Sequence, residues 1–85
     1  MRKLLLATAL TVLTLPAFAE GLTVGQTLGT SETAVHDSLV ALGYDVRRLE
    51  MEGGMIEAYA VKGKEMAEIS VSPTSGLIVD LGGNG

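Results

Sequence analysis

Two short turns that contain glycine constrain the fold of this chain more than any other feature of its sequence. Gly53-Gly54 lies between two runs of alternating apolar and polar residues, which is a strong signal for a two-residue β-hairpin turn. Gly63-Lys64 is a second candidate, because a type II′ turn has glycine at its first central position. If the chain reverses at both places, three consecutive antiparallel strands result.

The two turns, chosen independently, predict the same inward face of this sheet. Folding at the first turn places Met51 opposite Ile56, and folding at the second places Ile56 opposite Val71. Continued along the strands, the inward set becomes Leu49, Met51, Ile56, Ala58, Ala60, Ala67, Ile69 and Val71. A slip of one residue would scatter these apolar side chains over both faces, so the agreement favours this register.

Residues 31–44 predict an amphipathic helix that can cover the inward face. Its apolar side follows the spacing i, i+4 and i+7 and consists of Val35, Leu39 and Leu42. Thr30 or Ser31 can cap the N-terminus, and Gly43 is suited to close the C-terminus. A helix of about three turns is not stable alone in water, so we expect its apolar side to pack on the sheet.

The segment 72–81 predicts one more turn and a last strand. Ser72-Pro73-Thr74-Ser75-Gly76 contains the proline and the glycine that a hairpin loop of this size favours. The inward set of the strand at 77–81 stays open, because Leu77, Val79 and Leu81 alternate but Ile78 is also suitable. The sequence therefore predicts an α+β domain, in which one amphipathic helix packs on a four-stranded antiparallel meander.

The first 19 residues have the pattern of a secretory signal peptide. Arg2-Lys3 precedes an apolar run of about a dozen residues, and the ending Ala17-Phe18-Ala19 fits cleavage after Ala19. The run is short for a retained membrane helix, which needs roughly 20 apolar residues. We therefore predict a periplasmic or secreted protein, with no stable membrane anchor after cleavage.

The mature chain would then consist of a lead-in arm (20–29), a folded domain (30–81) and a flexible glycine-rich tail (82–85). The pattern leaves open whether the arm is ordered. Loss of Arg2 and Lys3 takes the net charge from −4 to −6, so we do not expect binding to nucleic acid or anionic lipid. The sequence has no cysteine, which excludes disulfides and thiolate metal sites.

No motif in the sequence indicates catalysis. The single histidine, His36, is followed by Asp37 and Ser38, but i+1 and i+2 neighbours on a helix are not expected to face each other. Phosphate-binding loops and the metal-ligand spacings of histidine or cysteine are absent from the sequence. We therefore predict a protein that is not an enzyme and that needs no cofactor.

The outward face of the sheet carries the candidate binding residues. The register predicts three rows there: Val46, Val61 and Met66; Arg48, Tyr59 and Glu68; and Glu50, Glu57 and Ser70. This face is either an ordinary solvated surface or a partner-binding face anchored by Tyr59 and Met66. Val61, Val46, Arg48 and Glu68 would complete the partner-binding face.

A second alternative function rests on two glutamates. Glu50 directly opposite Glu57 is unfavourable unless a cation or a hydrogen-bond donor offsets the repulsion. The pair is the only candidate for a metal site, as ligands of a divalent cation. The corresponding function would be a small-ligand or divalent-cation sensor.

Two runs of residues resemble a known family. LVALGYDVRRLEMEGGMIEAYAVKG at 39–63 and EISVSPTSGLIV at 68–79 are similar to the PepSY-like domains of small secreted bacterial proteins. The matching features are a helix that closes on Leu42-Gly43-Tyr44, the strand at 56–61, and a turn that ends at Gly76 before an apolar strand. The family's turn usually begins with aspartate and ends Thr-Gly, whereas here it begins with Ser72 and ends Ser75-Gly76.

The resemblance implies a function that the residues alone do not give. It implies an exported, non-catalytic protein-binding module that regulates or inhibits a periplasmic peptidase. The partner would be a periplasmic or extracellular protein that the sequence does not identify. A role of the family's turn aspartate does not carry over to Ser72, although serine can still start the turn through local hydrogen bonds.

Overall fold

The predicted turns and the apolar side of the predicted helix together give the α+β fold. The structure is a computed structural model that describes residues 21–84. It contains one helix, α1 (Glu32–Ala41), and four strands, β1 (Asp45–Glu52), β2 (Met55–Lys62), β3 (Glu65–Val71) and β4 (Ile78–Asn84). The strands form one antiparallel sheet in the order β1-β2-β3-β4, which confirms the meander. The predicted signal peptide at 1–19 lies outside the described residues.

The first two turns form where the glycines predict them. Gly53 and Gly54 have φ values of +61° and +81°, as a type I′ turn requires at both central positions. Gly63 has φ +65°. The register is as predicted in the paired positions Leu49–Ala58, Met51–Ile56, Ile56–Val71, Ala58–Ile69 and Ala60–Ala67.

Helix α1 is closed at both ends by local hydrogen bonds. The Ser31 Oγ accepts from the backbone N–H of Ala34 at 3.1 Å, so Ser31 is the N-cap. The Tyr44 N–H donates to the Leu39 carbonyl at 2.9 Å, and Gly43 has φ +95°. These are the features of a Schellman motif, and they confirm the predicted role of Gly43.

The core lies between α1 and the inner face of the sheet. Its buried apolar residues are Leu28, Val35, Leu39, Tyr44, Ile56, Ala58, Ala60, Ile69, Val71 and Ile78. Met51, which was predicted to point inward, is 52% exposed, because β1 is an edge strand and its side chains are covered from one side only. Tyr44 belongs to the core although the helix and strand patterns do not place it there.

A β-bulge in β1 changes the face on which Val46 lies. Val46 pairs with Ala60, while Arg48 pairs with Tyr59, so Arg47 is the extra residue. Val46 packs against the core, and its predicted place in the outward row with Val61 is wrong. The extra residue reverses the alternation, and the sequence pattern does not show it.

A second irregularity decides the inward set of β4. The register shifts between Ser70, which pairs with Asp80, and Val71, which pairs with Ile78. Val79 is therefore the extra residue and is 44% exposed, whereas Ile78 is fully buried. Ile78 points inward, and Leu81 further along β4 also packs against the core.

Strand β4 continues into the segment predicted to be a flexible tail. Gly82 pairs with Glu68, and Gly83 pairs with Ala67. A Cβ atom at Gly83 would collide with the Met66 carbonyl, so glycine permits the close approach of β4 to β3. The predicted tail at 82–85 is therefore wrong for residues 82–84, and Gly85 lies outside the described residues.

The lead-in arm is ordered and lies along the edge of β4. Thr27 forms an antiparallel bridge with Leu77. The Ile78 N–H donates to the Gln26 carbonyl at 2.9 Å, and the Gly25 N–H donates to the Ile78 carbonyl at 2.8 Å. The arm thus covers the beginning of an edge strand whose backbone groups would otherwise be open.

The arm also crosses the beginning of α1 at short distance. Leu28 is buried, and its carbonyl accepts from the Ser38 Oγ at 2.6 Å. Gly29 has φ +138°, and a Cβ atom there would lie 2.5 Å from the Cβ atom of Ala34. The crossing therefore depends on the absence of a side chain at Gly29.

The loop before β4 is built on Ser72. Its Oγ accepts from the backbone N–H groups of Thr74 and Ser75, both at 3.2 Å. Its carbonyl accepts from the Gly76 N–H at 2.7 Å, and Gly76 has φ +77°. Serine therefore starts the turn through local hydrogen bonds, as predicted.

Lys62 reaches the C-terminal end of α1 from strand β2. Its Nζ donates to the Leu42 carbonyl at 2.9 Å and lies 5.3 Å from the centre of the Tyr44 ring. The last turn of α1 has no basic residue of its own. Lys62 thus places a positive charge at the negative end of the helix dipole and over an aromatic face.

We expect Lys62→Met to lower the free energy of unfolding by about 1 kcal/mol, because methionine keeps the apolar stem but loses the charged donor. Urea denaturation followed by circular dichroism measures the loss. Lys64→Met is the matched control, since Lys64 is exposed in the neighbouring turn. Equal losses in the two variants would show that the contacts of Lys62 contribute nothing.

Candidate partner-binding face

The candidate site is the outer face of the sheet, which is the face opposite to α1. Side chains alternate along a strand, so every second residue points away from the core. The outer face includes Asp45, Arg48, Glu50, Glu52, Met55, Glu57, Tyr59, Val61, Met66, Glu68, Ser70 and Asp80. It contains every residue predicted for the partner-binding face except Val46.

Three side chains form an accessible apolar patch on the outer face. Val61 lies opposite Met66 on β3, and Tyr59 reaches Met66 along the diagonal. The Tyr59 hydroxyl donates to the Met66 Sδ at 2.9 Å. Met66 is 39% exposed, and Tyr59 and Val61 are half-buried. We name these three residues, Tyr59, Val61 and Met66, the Tyr59 patch.

Charged side chains stand on both sides of Tyr59. Arg48 lies opposite Tyr59 on β1, and Glu68 lies opposite it on β3. Both charged residues are exposed. The register therefore brings together the predicted row of one cation, one aromatic ring and one carboxylate.

An ion pair occupies the position where the sequence pattern placed Val46. Asp45 lies opposite Val61, and its Oδ2 is 2.8 Å from the Nε of Arg47. Sequence reasoning did not place Asp45 beside the patch. The bulge at Arg47 is the cause, because it moves Val46 to the core and brings Asp45 to the outer face.

The acidic row of the outer face has a hydroxyl partner. Glu50 lies opposite Glu57, as predicted, and the Ser70 Oγ donates to the Glu57 Oε2 at 2.8 Å. Asp80 lies opposite Ser70 on β4 and extends the row. Within residues 21–84, no three histidine, cysteine, aspartate or glutamate side chains are arranged to hold a metal ion.

His36 lies on the exposed side of α1, away from the Tyr59 patch. Its Nδ1 is 3.1 Å from the Asp37 Oδ1, so the expectation that these neighbours do not face each other is wrong. Both side chains are exposed and can turn toward each other. The Ser38 hydroxyl instead donates to the Leu28 carbonyl, so these three residues do not form a nucleophile, base and orienting group.

Comparison with known protein families gave a match over most of the sequence. A family model described as peptidase propeptide and YPEB domain (PepSY_2) matches residues 3–82, which is nearly the whole chain. No curated protein matches the chain, and no solved structure matches it. In the part of the chain that the structure describes, no helix has the length and apolar character needed to cross a lipid bilayer.

Proposed function

Because the chain belongs to the peptidase propeptide and YPEB domain family, we propose that it is a non-catalytic module that binds and regulates a peptidase outside the cytoplasm. A domain that regulates without chemistry of its own must act through a binding surface. The observation that carries the proposal is the Tyr59 patch, which is accessible on the face of the sheet that α1 does not cover.

The composition of the patch suits a protein interface. Tyrosine and methionine are enriched at interfaces relative to the rest of a protein surface. The hydrogen bond to Met66 holds the Tyr59 ring in place, which lowers the entropy cost of binding. Arg48 and Glu68 on either side give the surface charges of both signs, which favour one orientation of a partner.

The proposed place of action is the periplasm or the extracellular space. The support is the signal-peptide pattern at 1–19 together with the cleavage motif that ends at Ala19. The proposed mature protein, after cleavage of the signal peptide, is the chain from residue 20 onward.

The test is capture of a peptidase by the immobilised mature domain from a periplasmic extract, with and without Tyr59→Ser and Met66→Ser together. We expect the double variant to lose capture by about tenfold or more, because it removes the aromatic and thioether anchors. Its thermal midpoint should hardly move, since both side chains are accessible. Peptidase activity of the captured fraction, with and without added domain, measures regulation.

Val24→Ser and Val40→Ser together form the matched control. Both valines are exposed and lie away from the outer face, in the arm and on α1. The control should capture the peptidase as well as the unmodified domain does. Capture that survives the Tyr59 and Met66 changes, or that falls equally in the control, would contradict a role for the Tyr59 patch.

A further inference from the structure

The sulfur atom of Met66 is both accessible and hydrogen-bonded. Met66 is 39% exposed, and its Sδ accepts from the Tyr59 hydroxyl at 2.9 Å. Two other methionines lie in the described part of the chain, Met51 and Met55, on either side of the first turn. The sulfur atom of neither residue accepts a hydrogen bond from another described residue, so the three thioethers differ in environment within one molecule.

We propose that Met66 is a modification site at which a peroxide converts the Tyr59 patch from apolar to polar. A lone pair of the Met66 sulfur attacks one oxygen of hydrogen peroxide. The S–O bond forms as the O–O bond breaks, and the second oxygen leaves as water after proton transfer. The sulfur loses two electrons, the peroxide is reduced, and the product is methionine sulfoxide.

Tyr59 couples this step to the shape of the surface. A thioether sulfur is a weak acceptor, whereas a sulfoxide oxygen is polar and accepts strongly. The Tyr59 O–H therefore moves from the sulfur to the new oxygen, and the ring moves with it. The effect on partner binding rests on the proposed function, because it requires that the Tyr59 patch is the docking surface.

Tyr59 also restrains the reaction. Its O–H group engages a lone pair of the same sulfur that must attack the peroxide. Loss of this hydrogen bond makes the sulfur a better nucleophile, although the exposure of Met66 hardly changes. The order of oxidation among the three methionines thus depends on a hydroxyl group and not on exposure alone.

The first experiment compares the purified mature protein with Tyr59→Phe during treatment with hydrogen peroxide. Peptide mass mapping gives the oxidation rate at each methionine. We expect Tyr59→Phe to raise the rate at Met66 by about two- to tenfold, which corresponds to the net strength of one hydrogen bond. The rates at Met51 and Met55 should stay the same. An unchanged rate at Met66 would overturn the restraint by Tyr59, and the absence of oxidation at Met66 in both proteins would overturn the modification site itself.

The second experiment measures tyrosine fluorescence before and after oxidation. Met66→Leu removes the reactive sulfur but keeps the apolar volume, and Met51→Leu is the matched control. We expect the tyrosine fluorescence of the wild-type protein and of Met51→Leu to change on oxidation, whereas that of Met66→Leu should not change. A change of equal size in all three proteins would overturn the coupling between Met66 and Tyr59.

Peptidase capture then separates this proposal from the proposed function. Capture by the wild-type protein and by Met51→Leu should fall on oxidation. Met66→Leu is compared only with its own unoxidised form, and oxidation should not lower its capture further. Equal capture before and after oxidation would overturn the switch and leave the docking surface intact. If the reduced wild-type protein captures no peptidase, the proposed function fails, and the oxidation rates at Met66 still decide the modification chemistry.

Discussion

Replacing Leu39 by alanine is expected to lower the free energy of unfolding by about 3 kcal/mol, the usual cost of truncating a buried leucine. Leu39 lies between α1 and the sheet. It is one of the largest side chains of the core that are fully buried. A single core of this size rarely supplies more than about 3–5 kcal/mol of stability. The variant should therefore keep at most about 2 kcal/mol of stability, so that a measurable fraction is unfolded at room temperature.

Urea denaturation followed by circular dichroism measures this effect, and Leu42→Ala is the matched control. Leu42 lies at the end of the same helix but is only half-buried. The same substitution there should cost about half as much or less, because less apolar surface returns to water. If the two variants were equally stable, the core would not be centred on Leu39.

The second large effect is expected from Gly29→Ala, at about 2–4 kcal/mol. A residue with a side chain is strained at φ +138°. The new Cβ atom would also lie 2.5 Å from the Cβ atom of Ala34, which forces the arm away from α1 at a further cost. The arm should then detach from the helix, and exposure of Leu28 would accompany the loss of stability.

Two companion variants separate backbone strain from steric overlap at Gly29. Gly25 has φ +95°, and a Cβ atom added there would meet nothing within 4 Å, so Gly25→Ala should cost only about 1 kcal/mol. Adding Ala34→Gly to Gly29→Ala removes the colliding methyl group and should restore part of the loss. Equal costs for Gly25→Ala and Gly29→Ala would show that the close crossing has no energetic importance.

The register of the first three strands was predictable because two independent signals set it. Glycine fixed the positions of both turns, and side-chain alternation fixed the inward face. The bulges at Arg47 and Val79 were not predictable, because valine suits either face of a sheet and an extra residue leaves no distinct pattern. The error at Val46 follows directly from the first of these bulges.

The arm and Tyr44 show a second limit of the sequence. The arm pairs with β4 through backbone groups, and backbone pairing has no side-chain pattern of its own. Tyr44 had a readable signal, because it directly follows the glycine that closes α1. In a Schellman motif, that position commonly carries an apolar side chain packed back on the helix.

The candidate site was predictable in its positions but not in its contacts. The places of Tyr59, Val61 and Met66 followed from the register. The hydrogen bond between Tyr59 and Met66 did not, because a diagonal contact depends on side-chain rotamers. The role of the Tyr59 patch as a docking surface stays a prediction, which the capture experiment tests.

The pairing of the arm with β4 has a consequence for the order in which the molecule assembles. Gly25 and Ile78 are separated by more than half of the chain. During synthesis the arm emerges early, but β4, the strand with which it pairs, emerges late. The arm cannot pair with β4 until nearly the whole domain has been synthesised, and closure of this long loop is entropically slow. The native state can therefore form completely only after β4, the last strand, is available for pairing.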